Sequence, residues 1–377
     1  MNFEHTDDRR MLADTLVRAL RDGYAIDTRN AGAYSEAGYD PAVWQQLNEL
    51  GIVSALFDEA AGGFGGSGFD IMVVFEALGR ALVVEPFLGA LMAGRALAAG
   101  GGHDDTLAGI VSGETIAAFA QDDGATPVTA TKSGDGWTLS GTKAVVAQAD
   151  AASVFVAVVE QDGDPLVLLV PADTAGVSVR SYNIVEGGAA GDVTFDGVTL
   201  GADARVGGEG QGQAIVDAAV GAGLLALSAE AVGAMEFVKE ATLGYLRDRK
   251  QFGVPIGKFQ AIQHGLAQLA GEAAAAGAAA DAAAEAIART GGLGEGALAE
   301  VAAAKTRVGE AATTGAAIAH QTHGAMGFTY EHTLHHATRR LWAWRDEYGN
   351  ETYWATMLGR LVAAKGADNL WPFVTGD

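Results

Sequence analysis

The sequence contains no cysteine among its 377 residues. This absence excludes disulfide bonds, thiolate zinc sites, cysteine-ligated iron–sulfur clusters and cysteine nucleophiles. Proline is scarce, with 7 residues, and there is no low-complexity polar tract, so the composition is not typical of a disordered chain. Because 49% of the residues are apolar, the chain can bury a large core, and its length predicts two or three packed units.

Basic residues are also few, with 24 lysines and arginines against 47 acidic residues and a net charge of −23. A surface of this sign repels nucleic acids and anionic membranes, so neither is expected as a partner. The first residues are acidic, unlike a signal peptide, and the apolar run at 71–84 is interrupted by Glu76 and Arg80. We therefore expect no membrane span and a cytoplasmic location.

The first segment, up to about residue 112, has the periodicity of helices. Apolar residues at helical spacing predict a helix over 9–21 with Thr6 as its N-cap, and a second helix over 41–50. A glycine-rich loop at 60–66 precedes an apolar pattern at 70–82 that predicts a buried helix.

The second segment, residues 113–212, has the pattern of short strands. Apolar runs separated by turn signals predict strands at 115–119, 128–132, 137–140, 143–146, 153–159, 166–170 and 192–195. Gly134-Asp135-Gly136 predicts a hairpin turn between two of them. The spacing indicates an antiparallel sandwich or barrel, and a Rossmann-type sheet is not expected because no helices separate the strands.

The third segment, residues 213–377, returns to a helical period. Long alanine-rich patterns predict helices over 214–245, 260–288 and 297–320, with a turn at 290–294. The sequence thus predicts an α+β chain with three domains: N-terminal α-helical (1–112), middle β (113–212) and C-terminal helical bundle (213–377).

Two stretches of the third segment have the residue types of a ligand site. RDRKQFGVPIGKFQ at 247–260 places Arg249 where a helix meets a loop, a position from which a guanidinium can bind phosphate. QTHGAMGFTYE at 321–331 has Gly324 and Gly327, which permit a backbone to approach a ligand or another chain closely. Taken alone, such stretches are more often a surface arginine or helix C-cap and an interhelix turn.

Together, at this separation and behind a β domain, the two stretches resemble the acyl-CoA dehydrogenase family. GGFGG at 62–66 with EALGR at 76–80 is similar to its N-terminal signature, and WTLSGTK at 137–143 to its middle-domain signature. The resemblance covers nearly the whole chain. It implies an N-terminal helical domain, a middle antiparallel β domain and a C-terminal four-helix bundle. It also implies FAD as cofactor and dehydrogenation of an acyl-CoA, with electrons passed to an electron-transfer flavoprotein.

The resemblance also implies which residues contact FAD. The contacts to its pyrophosphate and adenine half, made across a subunit interface, match Arg249, Phe259, Gln260, Gln321, Gly324 and Ala325. The contacts to its isoalloxazine ring match Phe119, Gln121, Val146 and Ala147. The sequence departs from the family here, because QDDGATP at 121–127 is shorter and more acidic than the usual loop. Val145 stands where the family usually has a tryptophan beside the ring.

Several carboxylates are candidates for the catalytic base. Removal of the α-proton of a thioester requires a carboxylate within hydrogen-bond reach. In many family members this glutamate lies near the C-terminus, and counting from Phe328 its position here is Tyr348. Glu347 precedes it, and on a helix one residue is a rotation of about 100°, which points Glu347 away. If the segment is irregular, Glu347 can serve as the catalytic residue.

Other carboxylates remain as alternatives. Some members place the base on the long helix, at the position of Gly223, and Glu230 lies roughly 10 Å further along that helix. Asp346 and Glu331 are weaker candidates. A further alternative is that this chain carries no base.

A chain without a base has a precedent in the family, since some bacterial members are heterotetramers of two related chains. The end after His323 resembles the small subunits found beside pimeloyl-CoA and steroid side-chain dehydrogenases. The alternatives are therefore a homo-oligomeric enzyme of fatty-acid or steroid catabolism, a heterotetramer with a larger homologue, a non-catalytic partner subunit, or a related flavin oxidase or monooxygenase. No metal site is predicted, because His332, His335 and His336 lack a nearby acidic motif of metalloprotease type.

Overall fold

Helices occupy both ends of the sequence and strands its middle. The computed structural model describes residues 5–294 and 296–375. The first helices are α1 (Asp7–Gly23), α2 (Ile26–Ala33), α3 (Pro41–Glu49), α4 (Gly68–Ala81), α5 (Phe87–Gly100) and α6 (Asp104–Val111). The strands that follow are β1 (Ala117–Ala120), β2 (Thr129–Ser133), β3 (Gly136–Ala147), β4 (Val154–Gln161), β5 (Asp164–Pro171), β6 (Val177–Asn183) and β7 (Ala189–Leu200). The remaining elements are α7 (Gly212–Asp248), β8 (Lys250–Gln251), β9 (Val254–Pro255), α8 (Gln260–Thr290), α9 (Leu298–His323), α10 (Leu334–Asp346), α11 (Glu351–Lys365) and α12 (Leu370–Thr375).

The chain divides into two compact units. The sheet unit comprises His5–Val74 and Val83–Gly223, and the bundle unit comprises Phe75–Leu82 and the described residues of Leu224–Asp377. The domain boundaries drawn from the sequence, after residues 112 and 212, stay a prediction.

The predicted N-terminal helices form, and their first residues show why. The hydroxyl of Thr6 accepts a hydrogen bond from the backbone N–H of Arg9 at 3.3 Å, which caps α1. Asp40 caps α3 in the same way, with Pro41 at the first helical position. The sequence pattern misses α5, because this helix is buried on nearly every face and therefore has no amphipathic period.

The seven strands β1 to β7 form one sheet. Its order is β1-β4-β2-β3-β7-β6, and β5 pairs with β4. The predicted hairpin is confirmed, since Ser133 pairs with Gly136 across the turn. The runs predicted at 137–140 and 143–146 are one strand, β3, interrupted by register shifts. The sheet is mixed rather than purely antiparallel, because β1 pairs with β4 in parallel.

Long helices with small residues on their buried faces build the bundle unit. The buried side of α8 is mostly alanine, which lets α9 pack closely against it. Among the described residues, α7 alone is long and apolar enough to cross a membrane by length and composition, but 83% of its most apolar window is buried inside the protein. A buried core helix meets the same criterion, and α7 is apolar on nearly all sides.

Glycines let α4 and α7 approach each other within the bundle unit. A Cβ atom on Gly79 would lie 2.1 Å from the carbonyl oxygen of Glu230, and one on Gly233 would lie 1.9 Å from that of Glu76. Real Cβ atoms do not approach a backbone oxygen this closely. The packing of the two helices therefore depends on glycine at both positions.

We predict that Gly233→Ala lowers the free energy of unfolding by about 2 kcal/mol or more, because the added methyl group forces the two helices apart. Gly271→Ala in the interior of α8 is the matched control, since no atom lies within 4 Å of its added Cβ. That variant should raise stability by roughly 0.5–1 kcal/mol through helix propensity. Urea unfolding of both variants checks this, and equal effects of the two changes would contradict the packing argument.

Candidate functional site

A buried lysine holds the loop that follows β1. Lys143 lies on β3 and is 1% exposed. Its ammonium donates to the carbonyl oxygen of Gln121 at 2.8 Å and to the carboxylate of Asp123 at 2.6 Å. Burial lowers the pKa of Lys143, and the negative charge of Asp123 opposes that shift. The acidic loop at 121–127 is thereby attached to the sheet, a role of Lys143 that the sequence analysis missed.

The predicted contacts to the isoalloxazine ring lie on two strands that also contact each other. Phe119 is buried on β1, while Val146 and Ala147 lie at the end of β3 opposite β7. Gln121 follows β1, and its side-chain oxygen is buried without a hydrogen-bond partner among the described residues. An unpaired buried acceptor is costly unless a ligand or water supplies a donor. The sheet unit thus brings these four predicted residues together and leaves one acceptor available.

Val145 has a strained backbone beside them. It lies in the irregular part of β3 between Lys143 and Val146, with φ of 53° and 64% of its surface exposed. A β-branched residue rarely adopts positive φ, and the cost is about 1–3 kcal/mol. Its N–H donates to Asp192 at 3.4 Å. The strain falls at the position where the resemblance places an aromatic residue beside the flavin ring.

Asp192 organises the polar contacts around this irregular backbone. Its carboxylate also accepts hydrogen bonds from the Tyr182 hydroxyl at 2.9 Å and from the Arg180 guanidinium. The hydrogen bond from Arg180, followed by that from Tyr182, lowers the pKa of Asp192.

In the bundle unit, the first predicted phosphate-binding stretch is a short hairpin. Arg249 follows the end of α7 and is exposed, and its carbonyl oxygen accepts from Ile256 at 2.8 Å across the β8–β9 ribbon. Phe252 is 91% exposed, and its ring meets that of Phe259 edge to face at 6.1 Å. Gln260 begins α8. An open cavity of about 290 Å³ adjoins them, lined by Leu243, Leu246, Arg247, Pro255, Gly257, Lys258, Gln263 and Leu266.

The second predicted stretch starts where α9 ends. A 3₁₀ turn, Gly324–Phe328, follows α9, and Gly324 has φ of 59°, with no atom within 4 Å of the point where a Cβ would lie. Gln321, Gly324 and Ala325 are exposed. The ring of Tyr245 stacks on His323 at 4.4 Å, and its hydroxyl donates to the His323 carbonyl at 3.4 Å. Tyr245 lies one turn before Arg249, so this contact brings the two stretches together.

Two histidines of this region pack against neighbouring aromatic rings, and burial disfavours their charged form. His320 stacks on Phe328 at 4.1 Å, and its Nε2 lies 2.8 Å from the Thr338 hydroxyl. Burial is the main cause that lowers the pKa of His320, His323 and His332. Within the described residues, no group of three or more possible ligands is arranged to hold a metal ion.

The backbone around the proposed base is irregular. α10 ends at Asp346, and Glu347 is its C-cap residue with extended φ and ψ of −61° and 132°. Tyr348 and Gly349 then take positive φ of 52° and 97°. The helical rotation that would turn Glu347 away from the position of Tyr348 therefore does not apply. The half-buried Glu347 remains the candidate base.

Glu230 and Glu347 share one electrostatic environment. Glu230 is 5% exposed, and burial raises its pKa to about 8. Arg340, 3.8 Å from the Glu230 carboxylate, opposes this rise, and the neighbouring carboxylate of Glu347 contributes to it. The guanidinium of Arg340 also lies over the Trp344 ring at 4.4 Å. Two candidate carboxylates thus belong to one cluster, whereas Asp346 and Glu331 are exposed.

Comparison with known proteins assigns the family. The models for the N-terminal and C-terminal domains of acyl-CoA dehydrogenases match residues 6–114 and 210–351. The chain belongs to the acyl-CoA dehydrogenase family. This confirms the predicted resemblance, the fold class and FAD as the cofactor.

Similar proteins come from mycobacteria. Acyl-CoA dehydrogenase FadE27 of Mycobacterium tuberculosis is 32% identical over 241 residues, which span 62% of this chain and 63% of that protein. Acyl-CoA dehydrogenase IpdE2 of Mycolicibacterium smegmatis is 28% identical over 87% of this chain and 90% of its own length. The ChsE4-ChsE5 complex from Mycobacterium tuberculosis contains a chain of similar structure, with a TM-score of 0.89, 27% identity, and coverage of 96% of this chain and 99% of that one.

The strain at Val145 of this acyl-CoA dehydrogenase homologue leads to a stability test. We predict that Val145→Gly keeps or raises the free energy of unfolding, by up to about 1 kcal/mol, because relief of strain offsets the greater chain entropy of glycine. Val146→Gly, one residue on, should lower it by roughly 2–3 kcal/mol, since this side chain is buried. Thermal and urea unfolding of the pair check the prediction; a larger loss at 145 than at 146 would refute it.

The raised pKa of Glu230 makes the free energy of unfolding depend on pH. Its pKa is raised from 4.5 to about 8, so between these values the folded state binds more protons than the unfolded chain. As far as this group is concerned, the free energy of unfolding is therefore highest below pH 4.5. It falls as pH rises to about 8, by up to about 1.4 kcal/mol per pH unit.

Urea unfolding from pH 5 to pH 8 measures this dependence. Glu230→Gln should flatten it, because the glutamine cannot release a proton. Glu240→Gln, which removes an exposed carboxylate on the same helix, is the control for loss of one negative charge. The prediction is wrong if both variants retain the slope of the unmodified protein.

Proposed function

We propose that this chain is an FAD-dependent subunit that takes part in the oxidation of an acyl-CoA to its trans-2-enoyl-CoA. The observation that carries the proposal is the convergence of the two predicted FAD-binding stretches at the contact between Tyr245 and His323. These stretches are far apart in the sequence, and their meeting presents exposed Arg249 and Gln321 from one unit of the molecule. The match to both family domain models supports the same reaction class.

The residues present fit FAD. The sheet unit offers the buried, unpaired oxygen of Gln121 beside Phe119, Val146 and Ala147 for the ring. The bundle unit offers the guanidinium of Arg249 for phosphate, and open space at Gly324 lets a ligand approach the backbone. Its remaining predicted contacts to the pyrophosphate and adenine half are Phe259, Gln260, Gln321 and Ala325. FAD, when bound, accepts the hydride that leaves the β-carbon of the substrate.

In this proposal, Glu347 removes the α-proton. The C–H bond at the α-carbon breaks, its proton moves to a carboxylate oxygen of Glu347, and its electron pair forms the double bond as hydride leaves the β-carbon. An apolar acyl group that excludes water would raise the pKa of the carboxylate and so strengthen it as a base. The electrons then pass to an electron-transfer flavoprotein. Steroid or fatty-acid catabolism is the proposed setting, since a similar solved structure, Tcur3481-Tcur3483 at 27% identity, is named a steroid ACAD.

A second candidate function is a partner subunit without its own base. Tyr348 favours it, because a phenol instead of a carboxylate occupies the position that the family gives to the glutamate base. The similar chain in the ChsE4-ChsE5 structure was solved in a complex of two proteins. In such an assembly, Arg249 and Gln321 of this chain would complete an FAD site of a larger homologue.

The first experiment is the visible spectrum of the purified chain, before and after anaerobic addition of acyl-CoA thioesters. We predict a flavin band that acyl-CoA bleaches, and that Glu347→Gln slows bleaching by about 10²–10⁴-fold. Glu347→Asp should retain part of the rate, because it keeps a carboxylate. Asp346→Asn, an exposed change one residue away, is the control and should bleach as the unmodified chain does.

The outcomes separate the candidate functions. Flavin that stays oxidised with the chain alone, but bleaches after co-expression with a larger homologue, favours the partner subunit. Rapid reaction of the reduced flavin with oxygen favours an oxidase or monooxygenase. A chain that binds no flavin, alone or with a partner, overturns the proposed function.

A further inference from the structure

The last four carbonyl groups of a helix have no donors within the helix. In α10 all four nevertheless accept hydrogen bonds from other groups. The Ala343 carbonyl accepts from the N–H of Glu347 at 3.1 Å, and the Asp346 carbonyl accepts from the N–H of Gly349 at 3.3 Å. The two between them, on Trp344 and Arg345, accept from the ammonium of Lys305 at 2.6 and 3.3 Å. One side chain from α9 therefore completes the end of α10.

The ammonium of Lys305 lies where it can donate to the Trp344 and Arg345 carbonyls at once. Lys305 is 3% exposed, and lysine is almost never so buried unless it is paired. Burial lowers its pKa to about 8, while the acidic side chains of Glu347, Asp346 and Glu351 act in the opposite direction. Because two carbonyl oxygens accept from its ammonium, the charged form also interacts favourably with the negative end of the helix dipole.

The surroundings of Lys305 leave no room for a substrate. The cavity that it shares with Ser228, Leu341 and Trp344 has a volume of about 10 Å³. This volume holds at most about one water molecule. Lys305 therefore acts on the protein itself, and its hydrogen bonds end two residues before Glu347.

We propose that Lys305 is the positioning residue for Glu347, because its ammonium holds the end of α10 from which the Glu347 backbone leaves the helix. This rests on the proposed function for the role of Glu347 as the base. The other end of the turn is held as well, since the Tyr348 carbonyl accepts from the indole N–H of Trp354 at 3.0 Å. The segment at 347–349 is thus attached to α9 on one side and to α11 on the other.

Amide hydrogen exchange tests the structural part without any activity assay. In Lys305→Met, the amides of Glu347 and Gly349 should exchange at least about tenfold faster, because the buried Trp344 carbonyl and the partly buried Arg345 carbonyl lose their donor and the turn opens more often. In Lys305→Gln, whose neutral amide can still donate, the exchange rates should lie between those of the unmodified protein and those of Lys305→Met. This variant is used if the methionine variant does not fold. Lys239→Met, on α7 in an ion pair with Glu236, is the control and should leave these amides unchanged. Unchanged exchange in both Lys305 variants overturns the proposal.

Steady-state kinetics of the assembled holoenzyme tests the consequence for catalysis. Displacement of the base by about 1 Å costs on the order of 10²-fold in rate, so Lys305→Met should lower kcat strongly while the KM for acyl-CoA stays near its original value. A merely structural role would lower the yield of folded protein and leave kcat per bound flavin intact, and that result would also overturn the proposal.

A separate result identifies a failure of the proposed function. If Glu347→Gln retains full kcat, Glu347 is not the base, whatever the exchange measurements give. If Glu347→Gln is inactive and Lys305→Met both opens the turn and lowers kcat, the positioning role of Lys305 is supported.

Discussion

Buried polar groups must be hydrogen-bonded, and the irregular segments of this molecule depend on how that requirement is met. One buried lysine does so in each unit. Lys143 donates to the Gln121 carbonyl and the Asp123 carboxylate after β1, and Lys305 donates to the Trp344 and Arg345 carbonyls at the end of α10. Both segments contain residues proposed for function. A flexible side chain with three donors is suited to this, because it can reach backbone oxygens that no regular element pairs.

The bundle unit also contains a cluster of charged side chains around the buried Glu230. Glu230, Arg340 and Glu347 interact there, and burial favours the neutral form of Glu230. A neutral acid beside an ionisable one is an arrangement that separates the protonation states of two carboxyl groups. This cluster bears on both candidate functions, because the charge of Glu230 acts on Glu347, the proposed base.

Much of the fold followed from residue patterns, and the failures have identifiable causes. Thr6 and Pro41 mark helix starts by local chemistry, and both helices form as predicted. α5 escaped prediction because a helix buried all round has no polar face. The two runs predicted within β3 are one strand, since its register shifts interrupt the alternation of apolar residues. The stretches at 247–260 and 321–331 lie at helix ends, as the sequence predicts. The contact of Tyr245 that joins them could not be recognised in the sequence.

The sequence by itself determined the family, the succession of helical, β and helical segments, and the residues proposed to contact FAD, because these depend on local periodicity and on motifs of contiguous residues. Tertiary structure alone decided that Lys143 and Lys305 are buried and what they bind. It also decided that Glu230 and Glu347 share one environment and that the chain leaves α10 as an irregular turn. The physical reason is that burial, pKa and hydrogen-bond partners are set by groups distant in sequence, which residue patterns do not reveal.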